Sequence, residues 1–344
     1  MTLQIGIVGA TGYTGSELVR LLHFHPHTRI AAITSESHRG KRFSDIHPQF
    51  SGLVEQPLIP VEELSGVDLD AVFLALPHGV SMDFAARFLD AGLPVIDFSG
   101  DFRLNGPAVY QDWYQKEHTY VDGFDRAVYG LPELHRPAIA TADLIANPGC
   151  YPTAAILALM PLVRERLIRT DAIIIDSKSG VTGAGVKAKP VTHFSNVSDN
   201  FKAYGLKTHR HTIEIEEQLS GQQGEAIQVQ FTPHLLPLDR GILTTAYLQP
   251  APGTRPEQLE GAFQEAYRDE PFVRLRKDPP SLKEVRGSNY CDIYTTYDAR
   301  TDRLIVISVI DNLVKGAAGQ AMQNMNLRFG LEETTGFVQL PLSP

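Results

Sequence analysis

The sequence predicts an α/β chain in two parts. A doubly wound parallel sheet comes first, and an α+β domain with a mixed, largely antiparallel sheet follows. Three observations carry this. Through residue 148, short apolar runs alternate with stretches of helical periodicity. Beyond the middle of the chain, strands follow one another with fewer helices between them. And 344 residues are more than a single hydrophobic core usually organises, so two domains are expected.

Residues 3–8 are the first strand, 13–24 the first helix and 29–34 the second strand. Residues 71–75 and 95–98 are buried strands flanking a helix over 80–91. Such alternation implies a parallel sheet, Rossmann-type, with helices on both faces. From Pro152 to Leu167, the apolar residues Ile156, Leu159, Met160, Val163 and Leu167 recur at three- and four-residue spacing, which predicts a helix. Pro152 belongs in its first turn, where a missing amide proton costs nothing. Strands follow at 172–176, 226–232, 242–248, 289–296 and 304–309, with helices at 212–219 and 255–268. A final helix over 316–329 is expected to return to the first domain. The domains are then 1–148 with 314–344, and 149–313. Residues 250–256 and 277–281 are surface loops.

Composition narrows the class. Hydrophobic residues make up 43% and charged residues 21%, as in ordinary globular proteins. A net charge of −9 argues against nucleic acid or an anionic membrane as partner. A small anionic substrate stays compatible, because local cations dominate a cleft. Cys150 and Cys291 are the only cysteines, which offers no disulfide framework and suggests a reducing compartment. The chain opens directly on a strand pattern, and no apolar run reaches the roughly 18 residues of a membrane span. A cytoplasmic protein is expected. No zinc spacing emerges: His209, His211 and His234 lack a cysteine or nearby acid to complete a set, so no metal is expected.

Gly9-Ala10-Thr11-Gly12-Tyr13-Thr14-Gly15 joins the first strand to the first helix. Glycines there allow a tight turn and close approach of main-chain amides to a pyrophosphate. The G-x-x-G-x-x-G spacing is weak alone, and its position after strand one of a βαβ unit is what makes it a dinucleotide loop. After strand two, an NAD protein places an acidic residue for the ribose. Here Ser35, Arg39 and Lys41 surround Glu36, a set that favours the 2′-phosphate of NADP.

Cys150 lies in Asn147-Pro148-Gly149-Cys150-Tyr151-Pro152-Thr153, after a glycine turn and at a helix start. The amide-rich helix end carries partial positive charge. It lowers a thiol from its free pKa of about 8.5 and favours the thiolate. The alternative is a buried, inert cysteine packed as a small apolar side chain.

Further motifs follow in order. They are Asp97–Arg103, Tyr129–Leu134, Ser179–Gly185, Thr208-His209-Arg210-His211-Thr212-Ile213-Glu214-Ile215-Glu216, Phe231–Pro237, Arg240–Leu243 and Asp311–Gly319. Over nearly the whole chain this set resembles the N-acetyl-gamma-glutamyl-phosphate reductase family of the semialdehyde dehydrogenase group. Ile213 departs from it, since the family commonly has proline there. The resemblance implies reduction of N-acetyl-L-glutamyl 5-phosphate to N-acetyl-L-glutamate 5-semialdehyde and phosphate by NADPH, in arginine biosynthesis. Cys150 is then the nucleophile and forms a thioester. His211 is the expected acid/base and His209 the second choice. The two share a face if extended and diverge if helical.

The anionic substrate calls for cations, and Arg103, Arg210 and Lys207 are the candidates; Glu214, from the motif that holds Arg210, is a further substrate-binding candidate. Arg103 could instead pair with Asp97 or Asp101, and Arg240 could serve either substrate or fold. By resemblance, Ser179 and Gly180 lie beside the nicotinamide. Asn312 holds its amide or else caps the following helix. Cys291 packs within its strand. A homodimer or homotetramer is expected. The rivals are an aspartate-semialdehyde dehydrogenase, a nucleotide-sensing protein without catalysis, and a plain dehydrogenase acting on alcohols, which would not need Cys150.

Overall fold

The computed structural model describes residues 2–343. The chain divides into two compact units, Met1–Pro148 with Ala317–Val338 and Gly149–Gly316 with Gln339–Pro344.

In the first unit, β1 (Leu3–Val8) leads into α1 (Tyr13–His23) and β2 (Thr28–Thr34). Then come β3 (Leu58–Ile59), β4 (Ala71–Leu74), α2 (Ser81–Asp90), β5 (Val95–Asp97), α3 (Pro107–Tyr114), β6 (Ala127–Tyr129), α4 (Pro132–Ile139) and β7 (Leu144–Ala146). The seven strands form one sheet in the order β3-β2-β1-β4-β5-β7-β6, and every neighbouring pair is parallel. All four residues of β4 are buried, as a strand covered by helices on both faces requires.

The second unit begins with α5 (Cys150–Arg164), followed by β8 (Ile173–Ser179), β9 (Lys202–Ala203), α6 (His211–Gln223), β10 (Val229–Leu235) and β11 (Ile242–Leu248). It continues through α7 (Pro256–Ala266), β12 (Val273–Leu275), β13 (Cys291–Asp298) and β14 (Arg303–Ile310). Its sheet runs β12-β13-β14-β11-β8-β10-β9. The β8–β10 and β12–β13 pairs are parallel and the other four antiparallel. Last in the chain, α8 (Gly319–Arg328) packs with α1 and α4 in the first unit.

Two departures from the expected elements matter for the site. The central helix starts at Cys150 rather than Pro152. Gly149 caps it with extended backbone angles, and Pro152 sits third, where no intrahelical hydrogen bond is needed. Nor is this helix amphipathic: every residue from Tyr151 to Val163 is buried, the pattern of a helix covered all round. Ser308 Oγ and Tyr267 Oη donate to its Ala154 and Leu157 carbonyls at 2.8 and 2.5 Å. At the other end of the unit, the expected helix over 316–329 opens as a π turn, Val314–Ala318, before α8 begins. Cys291 is fully buried in β13.

Candidate active site

In the first unit, the strand order turns at β1, with β2 and β3 on one side and β4 and β5 on the other. At such a switch point the connections diverge and leave a crevice beyond the carboxyl ends of the strands. The Gly9–Gly15 loop leaves β1 there. Gly9 has φ +81°, and a Cβ on it would stand 2.5 Å from the Ala75 carbonyl oxygen. A Cβ on Gly15 would lie 2.6 Å from Ala10 Cα. Gly12 caps α1 without any side-chain bond, and a Cβ there would meet only Gly9 O, at 3.9 Å. Two glycines thus close the turn and the third leaves room above a helix end whose first amides reach no intrahelical carbonyl. Thr14 is half-buried and Tyr13 exposed on that first turn. The residues fit a pyrophosphate.

Thr11 Oγ1 lies 3.2 Å from Ser35 Oγ, and Ser35 Oγ lies 3.5 Å from Ser37 Oγ. Glu36 accepts Val61 N–H at 3.1 Å. It also faces Arg39 at 3.6 Å, with both side chains about 60% exposed, so water screens the pair. Sequence reading missed His47. Burial pulls its imidazole below the ordinary value, opposed by its hydrogen bond with the Thr11 main chain.

Arg103, also in this unit, is buried. Its Nε and Nη2 donate to the Asn147 and Phe98 carbonyls at 2.7 and 2.6 Å, tying together the ends of β7 and β5. Asp101 takes Gly79 N–H and Tyr110 O–H at 2.7 and 2.8 Å. Burial, and next the charge of Asp101, push the Asp97 carboxyl up to about 6, against hydrogen bonds from Ser81 and Ser99.

The second unit holds the cysteine. Cys150 is half-buried at the first position of α5. Gly149 N–H donates to Glu214 Oε1 at 2.7 Å, and Glu214 is fully buried. A Cβ on Gly149 would stand 2.5 Å from His211 Nε2, so the imidazole lies directly on the turn that carries the thiol. A Cβ on Gly316 would stand 2.8 Å from Cys150 Cβ. Burial, and then Tyr204, push Tyr151 far above its ordinary value, and the charge of Cys150 adds to this. Tyr204 is pushed up to about 12, chiefly by burial, with Cys150 again contributing. The two hydroxyls meet at 3.0 Å, and Tyr151 Oη donates to the His234 carbonyl at 3.3 Å.

The two histidines differ in environment. The His209 ring packs edge-on to Tyr151, Tyr204, Phe231 and His211, with centroids 4.8–5.5 Å apart. Burial, then Arg210, pull it down to about 4. Its Nδ1 accepts the His211 main-chain N–H at 3.2 Å, a role only the neutral ring can take. Phe231 and His234 lie on opposite faces of β10 because side chains alternate along a strand. Phe231 therefore reaches the histidines, while His234 pairs with Asp176 at 3.0 Å. Tyr151, Phe231 and Gly316 lie inside motifs quoted from the sequence, but nothing in their residue types assigned them a role, and Tyr204 lies in no such motif.

Ser179 ends β8, and the element directly after Gly180 is a 3₁₀ turn, Val181–Ala184, not an α-helix. A Cβ on Gly180 would stand 2.7 Å from Asp239 O. Asn312 accepts Gly241 N–H at 2.7 Å and donates to Thr182 Oγ1 at 3.0 Å. It thus stitches the two loops beside Ser179. Arg240 pairs with buried Asp311 at 3.1 Å, which gives it a part in the fold. Lys207, at φ +64°, and Arg210 are exposed on the segment that leads into His211. Among the described residues, no group of three or more His, Cys, Asp or Glu side chains could hold a metal ion. Among the described residues, no helix is long and apolar enough to cross a membrane.

Comparison with known proteins gives matches in both parts of the chain. Residues 4–142 match the semialdehyde dehydrogenase NAD binding domain, and residues 150–312 the semialdehyde dehydrogenase dimerisation domain. The chain is 51% identical to an N-acetyl-gamma-glutamyl-phosphate reductase of Symbiobacterium thermophilum, covering 98% of each protein. It is 49% identical to one of Desulforudis audaxviator, covering 99% of this chain and all of that one. Among solved structures, aspartate semialdehyde dehydrogenase II of Vibrio cholerae shares the fold with a TM-score of 0.72 at 17% identity, over 96% of this chain and 99% of that one. The NADP-bound aspartate semialdehyde dehydrogenase of Candida albicans does so at 0.66 and 18%, over 95% and 98%.

Proposed function

The chain belongs to the N-acetyl-gamma-glutamyl-phosphate reductase family of semialdehyde dehydrogenases, and from that premise we propose a thioester route for its reaction. It reduces N-acetyl-L-glutamyl 5-phosphate to N-acetyl-L-glutamate 5-semialdehyde and phosphate, as a step of arginine biosynthesis. The observation that carries the reading is the His211 imidazole lying on Gly149, next to a thiol at the start of α5.

His211 takes the Cys150 proton, and the helix end favours the thiolate that results. The sulfur attacks the acyl carbon, a C–S bond forms, and the C–O bond to phosphate breaks. The Cys150 main-chain amide, in the first turn of α5, is the donor proposed for the acyl oxygen. When bound, NADPH supplies the hydride that reduces the thioester. His211 then gives its proton to the thiohemiacetal oxygen and takes it back as the C–S bond breaks, which releases the aldehyde and the Cys150 thiolate, and return of that proton from His211 to the sulfur restores the thiol. His209 stays neutral and sets the His211 main chain. Gly9, Thr11, Gly12, Tyr13, Thr14 and Gly15 hold the pyrophosphate, and Ser35 with Arg39 the 2′-phosphate. Arg103, Arg210 and Lys207 are the cations proposed for the substrate's anionic groups. Ser179, Gly180 and Asn312 shape the loops of the second unit.

We also read the outer face of the second sheet as the surface for a second copy of the chain. Ile174 and Tyr247 on that face are 46% and 40% exposed, and both are paired in register with β11 or β14 residues of the same face.

The test is mass spectrometry of protein quenched with N-acetylglutamyl phosphate in the absence of NADPH. An acyl adduct on Cys150 is expected. Cys150→Ala is expected to lose turnover at least about a thousandfold with NADPH binding kept. No adduct in an active enzyme would sink the thioester route.

A further inference from the structure

We propose that Glu214 is a positioning residue that clamps the Gly149–Cys150 turn against His211, and not a contact for substrate. The inference rests on the reading of Cys150 as nucleophile. His211 and Glu214 lie three residues apart on α6, so their side chains stand on one face of the helix. That face grips a single turn at two points. The buried Glu214 carboxylate takes Gly149 N–H at 2.7 Å, and the His211 ring lies against Gly149 Cα so closely that a Cβ would stand 2.5 Å from Nε2. Gly316 closes a third side against Cys150 Cβ. One helix thereby delivers both the base and the anchor that fixes the thiol relative to it. The anchored amide belongs to the capping residue, one short of the Cys150 amide proposed for the acyl oxygen. A carboxylate with no exposed surface and bonded to the main chain is built to hold backbone.

Two variants test this. Glu214→Gln keeps an oxygen acceptor of the same reach without the charge, and Glu214→Ala removes the acceptor. Three readouts are taken: kcat and KM for N-acetylglutamyl phosphate, the NADPH dissociation constant, and the rate of Cys150 alkylation by iodoacetamide against pH. A misplaced reacting group costs on the order of a hundredfold. Glu214→Ala is therefore expected to lose about that much kcat, with KM and NADPH affinity within about twofold and Cys150 alkylation slowed at least about fivefold at neutral pH. Glu214→Gln is expected to recover most of the loss in both kcat and alkylation. A rise in KM with kcat kept would overturn the clamp in favour of substrate contact. Loss in Glu214→Gln as deep as in Glu214→Ala would overturn it in favour of charge. Alkylation needs no turnover, so the clamp is tested even if N-acetylglutamyl phosphate proves not to be the substrate.

Discussion

His209 Nδ1 accepts the main-chain N–H of His211 at 3.2 Å. One imidazole of the pair is thus spent on placing the other, inside a wall of Tyr151, Tyr204 and Phe231 rings. His211→Ala should lower kcat by about a hundred- to ten-thousandfold, the range for loss of a general acid/base. His209→Asn, which keeps an acceptor near the Nδ1 position, should lose far less. Steady-state kinetics of both variants decides, and equal losses would contradict the division of roles.

The same burial predicts a pH dependence of stability. His209 drops from 6.5 to about 4 in the folded protein. Between those values the unfolded chain binds the proton that the folded chain refuses, so stability falls as pH drops through this window and is unaffected above it. The contribution is on the order of 3 kcal/mol. Urea midpoints measured from pH 7 to 4 should fall less steeply in His209→Asn than in the wild type.

Asp97 carries the opposite sign. Its carboxyl rises from 3.8 to about 6 in the folded state, so the folded chain keeps a proton that the unfolded chain has released. Stability from this group is present below the unfolded value and is lost as pH rises to about 6. Asp97→Asn mimics the protonated side chain. It should become more stable than the wild type above pH 6, by up to about 3 kcal/mol, with the gap closing near pH 4. A gap that does not change with pH would count against a protonated Asp97.

Gly149→Ala places a methyl 2.5 Å from His211 Nε2. The ring must move, because overpacking is relieved only by displacement, at a cost of about 1–3 kcal/mol. Turnover should fall by about a hundredfold while NADPH binding stays intact. Thermal unfolding together with cofactor titration would separate this outcome from a general loss of fold.

Arg39→Ala bears on the cofactor. Arg39 is exposed and only loosely held by Glu36 at 3.6 Å, so it is available to a 2′-phosphate. The variant should raise KM for NADPH about tenfold, as expected for loss of one charge-assisted contact, and leave KM for NADH unchanged. Equal effects on both cofactors would remove Arg39 from the 2′-phosphate site.

What the residues determined alone is local. The glycine loop over 9–15 was readable because its spacing follows a strand and opens a helix, and both are short-range patterns. The same holds for Cys150 at a helix start and for the change from alternating to consecutive strands. Tertiary structure decided what long-range packing controls. Glu214 reaches Gly149 across 65 positions and Asp311 meets Arg240 across 71, and no periodicity encodes such partners. The stripe of Ile156, Leu159 and Val163 identified a helix but could not tell one apolar face from burial all round. Nor could the spacing of His209 and His211 say which one stays neutral. That depends on which rings surround each imidazole, and those rings come from α5, the segment before α6, and β10. A sequence reports the preference of each segment, whereas desolvation and hydrogen bonding report what lies against it.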